Sequence, residues 1–198
     1  MVSVDESLSE HLGVMESLRD MPLTLRDAAD RCLAALNGGG KLLVCGNGGS
    51  AAAAQHLSSE LVGRYKESRP PLAAVTLAAD AALLTCIGND FGFEEIFSRQ
   101  VHALGRPGDV LVAFTTSGRS PDILAALQAA REVGVVSVSF LGRDGGLALA
   151  LSDCALVVPH NDTARIQEGH LFLMHCLMDM IEAGIRAEPD RREAGKTL

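Results

Sequence analysis

Apolar residues recur along the chain with two distinct periods. Between residues 5 and 20, Leu8, Leu12, Met15 and Leu18 fall at helical spacing, and Met21-Pro22 interrupts the pattern. A second helix is predicted from about Thr24 to Leu36, with Leu25, Ala29, Cys32, Leu33 and Leu36 as its apolar stripe and Gly38-Gly39-Gly40 as its stop. Beyond it, short continuous apolar runs alternate with helical patterns. The runs predict strands at Leu42 to Cys45, Leu72 to Leu77, Val110 to Phe114, Val135 to Leu141 and Cys154 to Val158. Between them, helices are predicted after Ser50, from Asp80 to Ile87, from Glu94 to Leu104, from Pro121, from Leu147 to Ser152 and from about Thr163 to Ile185; Gly88 to Gly92 reads as a polar turn.

Strands that are apolar on both faces need cover on both, so the alternation implies an α/β three-layer sandwich: a five-stranded parallel sheet with helices on either side. One domain spanning 1–198 is expected. Two leading helices have no fixed place in a minimal doubly wound sheet, and residues 1–37 are expected to pack against another subunit. The last helix is apolar nearly all round, as suits burial within or between subunits, and the tail from 187 to 198 is expected to fray.

Two loops stand where a strand gives way to a helix. The first, Gly46-Asn47-Gly48-Gly49, leads to Ser50 as a candidate cap and to the helix-favouring Ala51 to Ala54; free N–H groups and the positive helix end suit a phosphate or a polar sugar. On that helix His56 and Glu60 are four residues apart and share a face. The second loop, Thr115-Thr116-Ser117-Gly118-Arg119-Ser120, precedes Pro121-Asp122 at a helix start. Its four hydroxyls can surround a phosphate without any lysine, which makes it the better phosphate cradle and leaves Asn47 to Gly49 for a sugar. In a parallel sheet both loops fall on the C-terminal edge, where ligands bind.

Composition narrows the classes. With 47% hydrophobic residues, no Trp and one Tyr, the core must be packed with small aliphatic side chains. A net charge of −8, from 17 basic against 25 acidic residues, argues against nucleic acid as a partner. Cys32, Cys45, Cys86, Cys154 and Cys176 are odd in number and form no CxxC pair, so they read as reduced thiols of a cytoplasmic protein. No apolar run approaches the roughly 20 residues of a membrane-spanning helix, and none of the basic and apolar features of a secretion signal opens the chain.

GNGGSAAAAQHLSSELVGRY, GNDFGFEEIFSRQV, TTSGRSPDIL, GRDGG and RIQEGHLFLMH, in this order and spacing, closely resemble the sedoheptulose 7-phosphate isomerases (phosphoheptose isomerases) of the sugar isomerase (SIS) domain superfamily, over about residues 5 to 185. The resemblance implies a flavodoxin-like sheet and a homotetramer with active sites at subunit contacts. It implies interconversion of D-sedoheptulose 7-phosphate and D-glycero-D-manno-heptose 7-phosphate, without a nucleotide cofactor. Carried over by position, it puts sugar contacts at Asn47, Gly48, Gly49, Ser50, Glu60, Asn89, Asp90 and Gln167, and the phosphate at Thr115, Thr116, Ser117 and Ser120. Glu60 and His175 match the acid/base pair, and His56, Glu60, Gln167 and His175 match a zinc site. Arg64, one further helical turn beyond Glu60, is a candidate contact to the sugar phosphate. Many members have Asp where this chain has Ala53 and Ala164, and others have Ser at Thr115. Two other readings are an isomerase of another ketose phosphate and a non-catalytic relative that binds the bacterial replication initiator; Glu60 and His175, absent from that relative, favour an enzyme.

Overall fold

In the computed structural model, which describes residues 3–187, α1 (Val4–Ser17) begins at a capping box in which Glu6 N donates to Ser3 Oγ and Ser3 N donates to Glu6 Oε2. A short 3-10 turn follows, then α2 (Pro22–Asn37), which starts at Pro22 rather than Thr24 because proline at the first helical position lacks only an N–H that would be unpaired anyway. Next come β1 (Leu42–Gly46), α3 (Gly49–Val62), β2 (Ala74–Thr76), α4 (Ala81–Asp90), α5 (Ser98–Leu104), β3 (Val110–Thr115), α6 (Pro121–Glu132), β4 (Val136–Gly142), α7 (Ala148–Leu151), β5 (Cys154–Val158) and α8 (Thr163–Ala187). The expected fraying of the tail lies, from residue 188 on, outside the described residues.

All five strands are parallel, in the order β2-β1-β3-β4-β5. Alternate residues feed two cores. Leu42, Val44, Val112, Phe114, Val138, Phe140, Leu156 and Val158 pack with α1, α2, α3 and α8, whereas Leu43, Cys45, Leu111, Ala113 and Leu141 pack with α4, α5, α6 and α7. The three layers are therefore as expected, with four departures. β2 is three residues long, since an edge strand with one neighbour keeps pairing only where Leu42 to Val44 run beside it. Gly88, Asn89 and Asp90 continue α4 instead of forming a turn; the break comes at Gly92, whose φ of +100° a helix excludes. The expected helix from Glu94 is divided into a 3-10 turn, Phe93–Glu95, and α5.

The fourth departure concerns the leading helices. The α2 stripe is buried inside the protomer: Leu25, Ala28, Ala29, Cys32 and Leu36 close the core under α8 and β5. α1 divides differently, with Val14 buried and Leu8 and Leu12 exposed. On α1, Leu8 and Leu12 form an unpartnered apolar side. Gly169 lets α8 approach: a Cβ there would stand 3.0 Å from both methyls of Val158, so the residue that weakens the helix in isolation permits the contact that holds it.

Candidate active site

In the sheet order the chain moves to one side after β1 and to the other after β3, so the loops that follow these two strands flank the switch point. The β1–α3 turn reverses at Gly48, which has φ +54° and serves as N-cap in place of Ser50. Ser50 is already in the first turn, buried, its N–H donating to the Asn47 carbonyl. The turn closes tighter than expected because glycine supplies the left-handed residue two positions early. Asn47 is held from across the switch point, where its Nδ2 donates to Asp122 Oδ2 at 2.7 Å. Burial pushes the Asp122 carboxyl above its ordinary range, against the opposing pull of that hydrogen bond.

The β3–α6 loop keeps its hydroxyls available. Thr115 Oγ1 accepts from Gly118 N and Ser117 Oγ accepts from Arg119 N, which uses each oxygen as an acceptor and leaves its O–H as a donor. Ser120 is the N-cap of α6 but makes no side-chain cap bond. Thr115 is the last residue of β3, one beyond the expected end, and Thr116 follows half-buried. Gly118 locks the loop to the turn after β4, where its carbonyl accepts from Ala148 N.

A cavity of about 400 Å³ opens beside the first loop, lined by Gly49, Ser50, Ala53, His56, Ala164, Gln167 and neighbours. Ala53 and Ala164, where many members of the resembled family have Asp, thus face one space. Gln167 lies against Gly49 so closely that a Cβ on that glycine would meet its amide nitrogen at 2.6 Å. At the next turns of α3, His56 Nε2 and Glu60 Oε1 are 3.0 Å apart, and the His175 ring meets the His56 ring edge-on with centroids 5.1 Å apart. Burial first, and the neighbouring His56 second, hold His175 below the ordinary imidazole range, although Glu60 and Asp179 pull it upward. An imidazole beside a carboxylate is an arrangement that can move protons.

The predicted residues are not all gathered. Arg64 lies past the end of α3, exposed, because Gly63 ends the helix; it is not one further helical turn from Glu60. Asn89 and Asp90 are exposed at the far end of α4, where Asn89 Nδ2 donates to Asp90 Oδ1, and neither lines the cavity. For zinc the donor types of His56, Glu60, Gln167 and His175 are suitable. Their placement is not: α8 begins at Thr163, so Gln167 and His175 stay eight residues, roughly 12 Å of rise, apart. Among the described residues no group of three or more His, Cys, Asp or Glu side chains is placed to hold a metal ion. As placed, the four do not form a cage, and no proton step is assigned to a metal.

Sequence reasoning missed the parts played by Asp122 and Tyr65, whereas His170 is the satisfied core histidine that an apolar helix leads one to expect. Tyr65 stacks on His175 with 14° between the rings. His170 is buried between Phe114 and Phe140, and Nε2 donates to the Leu141 carbonyl at 2.9 Å. Burial lowers its pKa to about 4, against 6.5 for an unperturbed imidazole. Above the unfolded value neither state binds the proton, so stability there is unaffected; as pH falls below it, the unfolded chain takes up a proton that the folded one refuses, and stability is lost until the folded value is reached. The loss is expected to be about 2 kcal/mol by about pH 5. Denaturant unfolding of the unmodified protein and of His170→Gln at about pH 7 and about pH 5 checks this: the variant should show the smaller drop, and equal drops refute the assignment.

A SIS domain family model matches residues 11–142. The phosphoheptose isomerase of Paramagnetospirillum magneticum is 50% identical over 184 residues, 91% of this chain and 94% of that protein. The solved phosphoheptose isomerase GmhA of Neisseria gonorrhoeae superposes with a TM-score of 0.86 at 43% identity, covering 91% of this chain and 97% of that one. The phosphoheptose isomerase of Francisella tularensis gives 0.88 at 37% identity, with coverages of 92% and 100%. With half its residues shared over nearly its whole length, and the same fold in three dimensions, the chain belongs to the SIS-domain phosphoheptose isomerase family.

Proposed function

We infer that this site interconverts D-sedoheptulose 7-phosphate and D-glycero-D-manno-heptose 7-phosphate through an enediol. The observation that carries this reading is the meeting of Glu60 with His56, and of His56 with the His175 ring, where α3 lies against α8; His56 also lines the cavity beside the first loop. The phosphate is assigned to Thr115, Thr116, Ser117 and Ser120 with the α6 N-terminus, and the sugar hydroxyls to Asn47, Gly48, Gly49, Ser50 and Gln167. The Glu60 carboxylate removes a proton from C1 of the open-chain ketose and returns it to C2. His175 takes the O1 proton and delivers it to O2, so charge and atoms balance over the cycle.

Chelation decides the zinc set, whose donor types suit the ion while their placement does not. A homotetramer is also part of the reading. Exposed Leu8 and Leu12 on α1 support it, as does the position of Asn89 and Asp90 away from the cavity of their own protomer, which suits a site completed at a subunit contact. Five free cysteines support a cytoplasmic location. Among the described residues no helix is long and apolar enough to cross a membrane.

The test is an NMR assay of purified protein with sedoheptulose 7-phosphate in D2O. Aldose carrying solvent deuterium at C2 is the expected product, and no turnover under varied metal supply would sink the reading. Zinc requires that chelation stop turnover and that added zinc restore it. Unchanged turnover removes zinc and leaves the proton steps as written.

A further inference from the structure

The segment after α3 doubles back across α8 and meets it at three successive turns. Tyr65 lies over the His175 ring, and its hydroxyl donates to the His175 carbonyl at 3.4 Å. One turn along, Lys66 Nζ pairs with Asp179. Another turn along, both Glu182 oxygens stand 3.3 Å from Glu67 N, and Glu182 Oε1 stands 3.3 Å from Arg69 Nε. His175, Asp179 and Glu182 follow the i, i+4, i+7 pattern, so the strap grips one face of the helix.

The rungs are unequal. The Lys66 and Asp179 side chains are 59% and 50% exposed, and such a pair contributes little. Those of Arg69 and Glu182 are 6% and 5% exposed. A guanidinium so buried needs partners, and it finds them on α3: Nη1 donates to the Leu61 carbonyl at 2.8 Å and Nη2 to the carbonyl of Glu60 itself. Nε faces Glu182 without the alignment of a hydrogen bond, so that link is ionic. One side chain therefore joins the backbone of the proposed carbon base to a carboxylate two turns from the proposed oxygen-proton carrier. A buried ion pair adds little net stability over an apolar pair of similar volume. What it adds is a fixed geometry.

We propose that Arg69 and Glu182 are positioning residues, which set the separation and rotation of α3 against α8 and so align Glu60 with His175. The inference rests on the assignment of Glu60 and His175 above. Misalignment of reacting groups by about 1 Å costs on the order of 100-fold in rate, and it acts on the reacting geometry more than on the binding of a phosphate elsewhere. The experiment measures kcat, KM and melting temperature for the unmodified protein, Arg69→Lys, Glu182→Gln and the double variant Arg69→Met with Glu182→Met. The single variants should melt lower and lose roughly 10- to 100-fold in kcat with KM within about threefold. The double variant should recover the melting temperature while its kcat stays at least about tenfold low. Full kcat in the double variant, or a change confined to KM, overturns the proposal. If the double variant fails to fold, Arg69→Lys assayed well below its own melting point decides, and unchanged kcat there overturns it. Absence of turnover by the unmodified protein refutes the functional reading instead, so the two failures are told apart.

Discussion

Glu60→Gln is expected to lower kcat by about 10²- to 10⁴-fold with little change in KM or in melting temperature. The amide fills the same volume and can still meet His56 Nε2, now 3.0 Å from Oε1, so the packing of α3 is preserved. What disappears is a basic oxygen at the end of a helix whose backbone is already tied down. A group that acts on a carbon-bound proton works only in the transition state, which is why the loss should fall on kcat and not on binding. Deuterium incorporation from D2O should fall in step with turnover. Undiminished turnover by this variant removes Glu60 as the base while leaving the family assignment intact.

Gly118→Ala should damage the phosphate loop more than the loss of any one hydroxyl. Its φ is +62°, and a Cβ would stand 1.9 Å from the Gly145 carbonyl oxygen. The opposing atom is backbone, so no side chain can swing away, and the left-handed conformation costs a residue with a Cβ about 1 kcal/mol or more before any clash. The loop must shift, carrying Thr115, Ser117 and Ser120 with it. KM for the sugar phosphate is expected to rise on the order of 10- to 100-fold, with stability reduced by about 2 kcal/mol or more. Ser120→Ala, which removes one donor without strain, should raise KM by roughly tenfold at most. Competition by inorganic phosphate reads the same site without catalysis. A normal KM in Gly118→Ala would place the phosphate elsewhere.

Strands β1, β3, β4 and β5 were legible because apolar runs closed by glycine or polar turns identify buried parallel strands, and both switch-point loops followed from them. β2 read longer than it is because Leu72 to Leu77 is apolar at every position but Thr76, and nothing local reveals that an edge position will shorten the pairing. Asn89 and Asp90 were placed in a turn because Gly88 looks like a stop, yet a helix passes through glycine when its neighbours pack. Arg64 was extrapolated along a helix that ends before it. The partners of the site residues were beyond local reading altogether. Asn47 and Asp122 are 75 residues apart, and the strap's contacts to α8 span up to 115. Only the closed fold brings them together. Nothing in the local sequence marks Arg69 or Glu182 as buried.

The layout also bears on how the protein is made. α3, with Ala54, Leu57 and Leu61 facing inward, is synthesised more than 100 residues before His170 to Ile181 of α8, the helix that covers its flank. A nascent chain at a ribosomal rate of about 5–20 residues per second therefore leaves the α8 flank of α3 uncovered for roughly 5–20 seconds. During that interval β1 and β3 can pair, but the strap of residues 65 to 69 has nothing to grip. Stalling translation late in the chain should yield a sheet without a catalytic pair, and a client for chaperones that recognise exposed aliphatic helices.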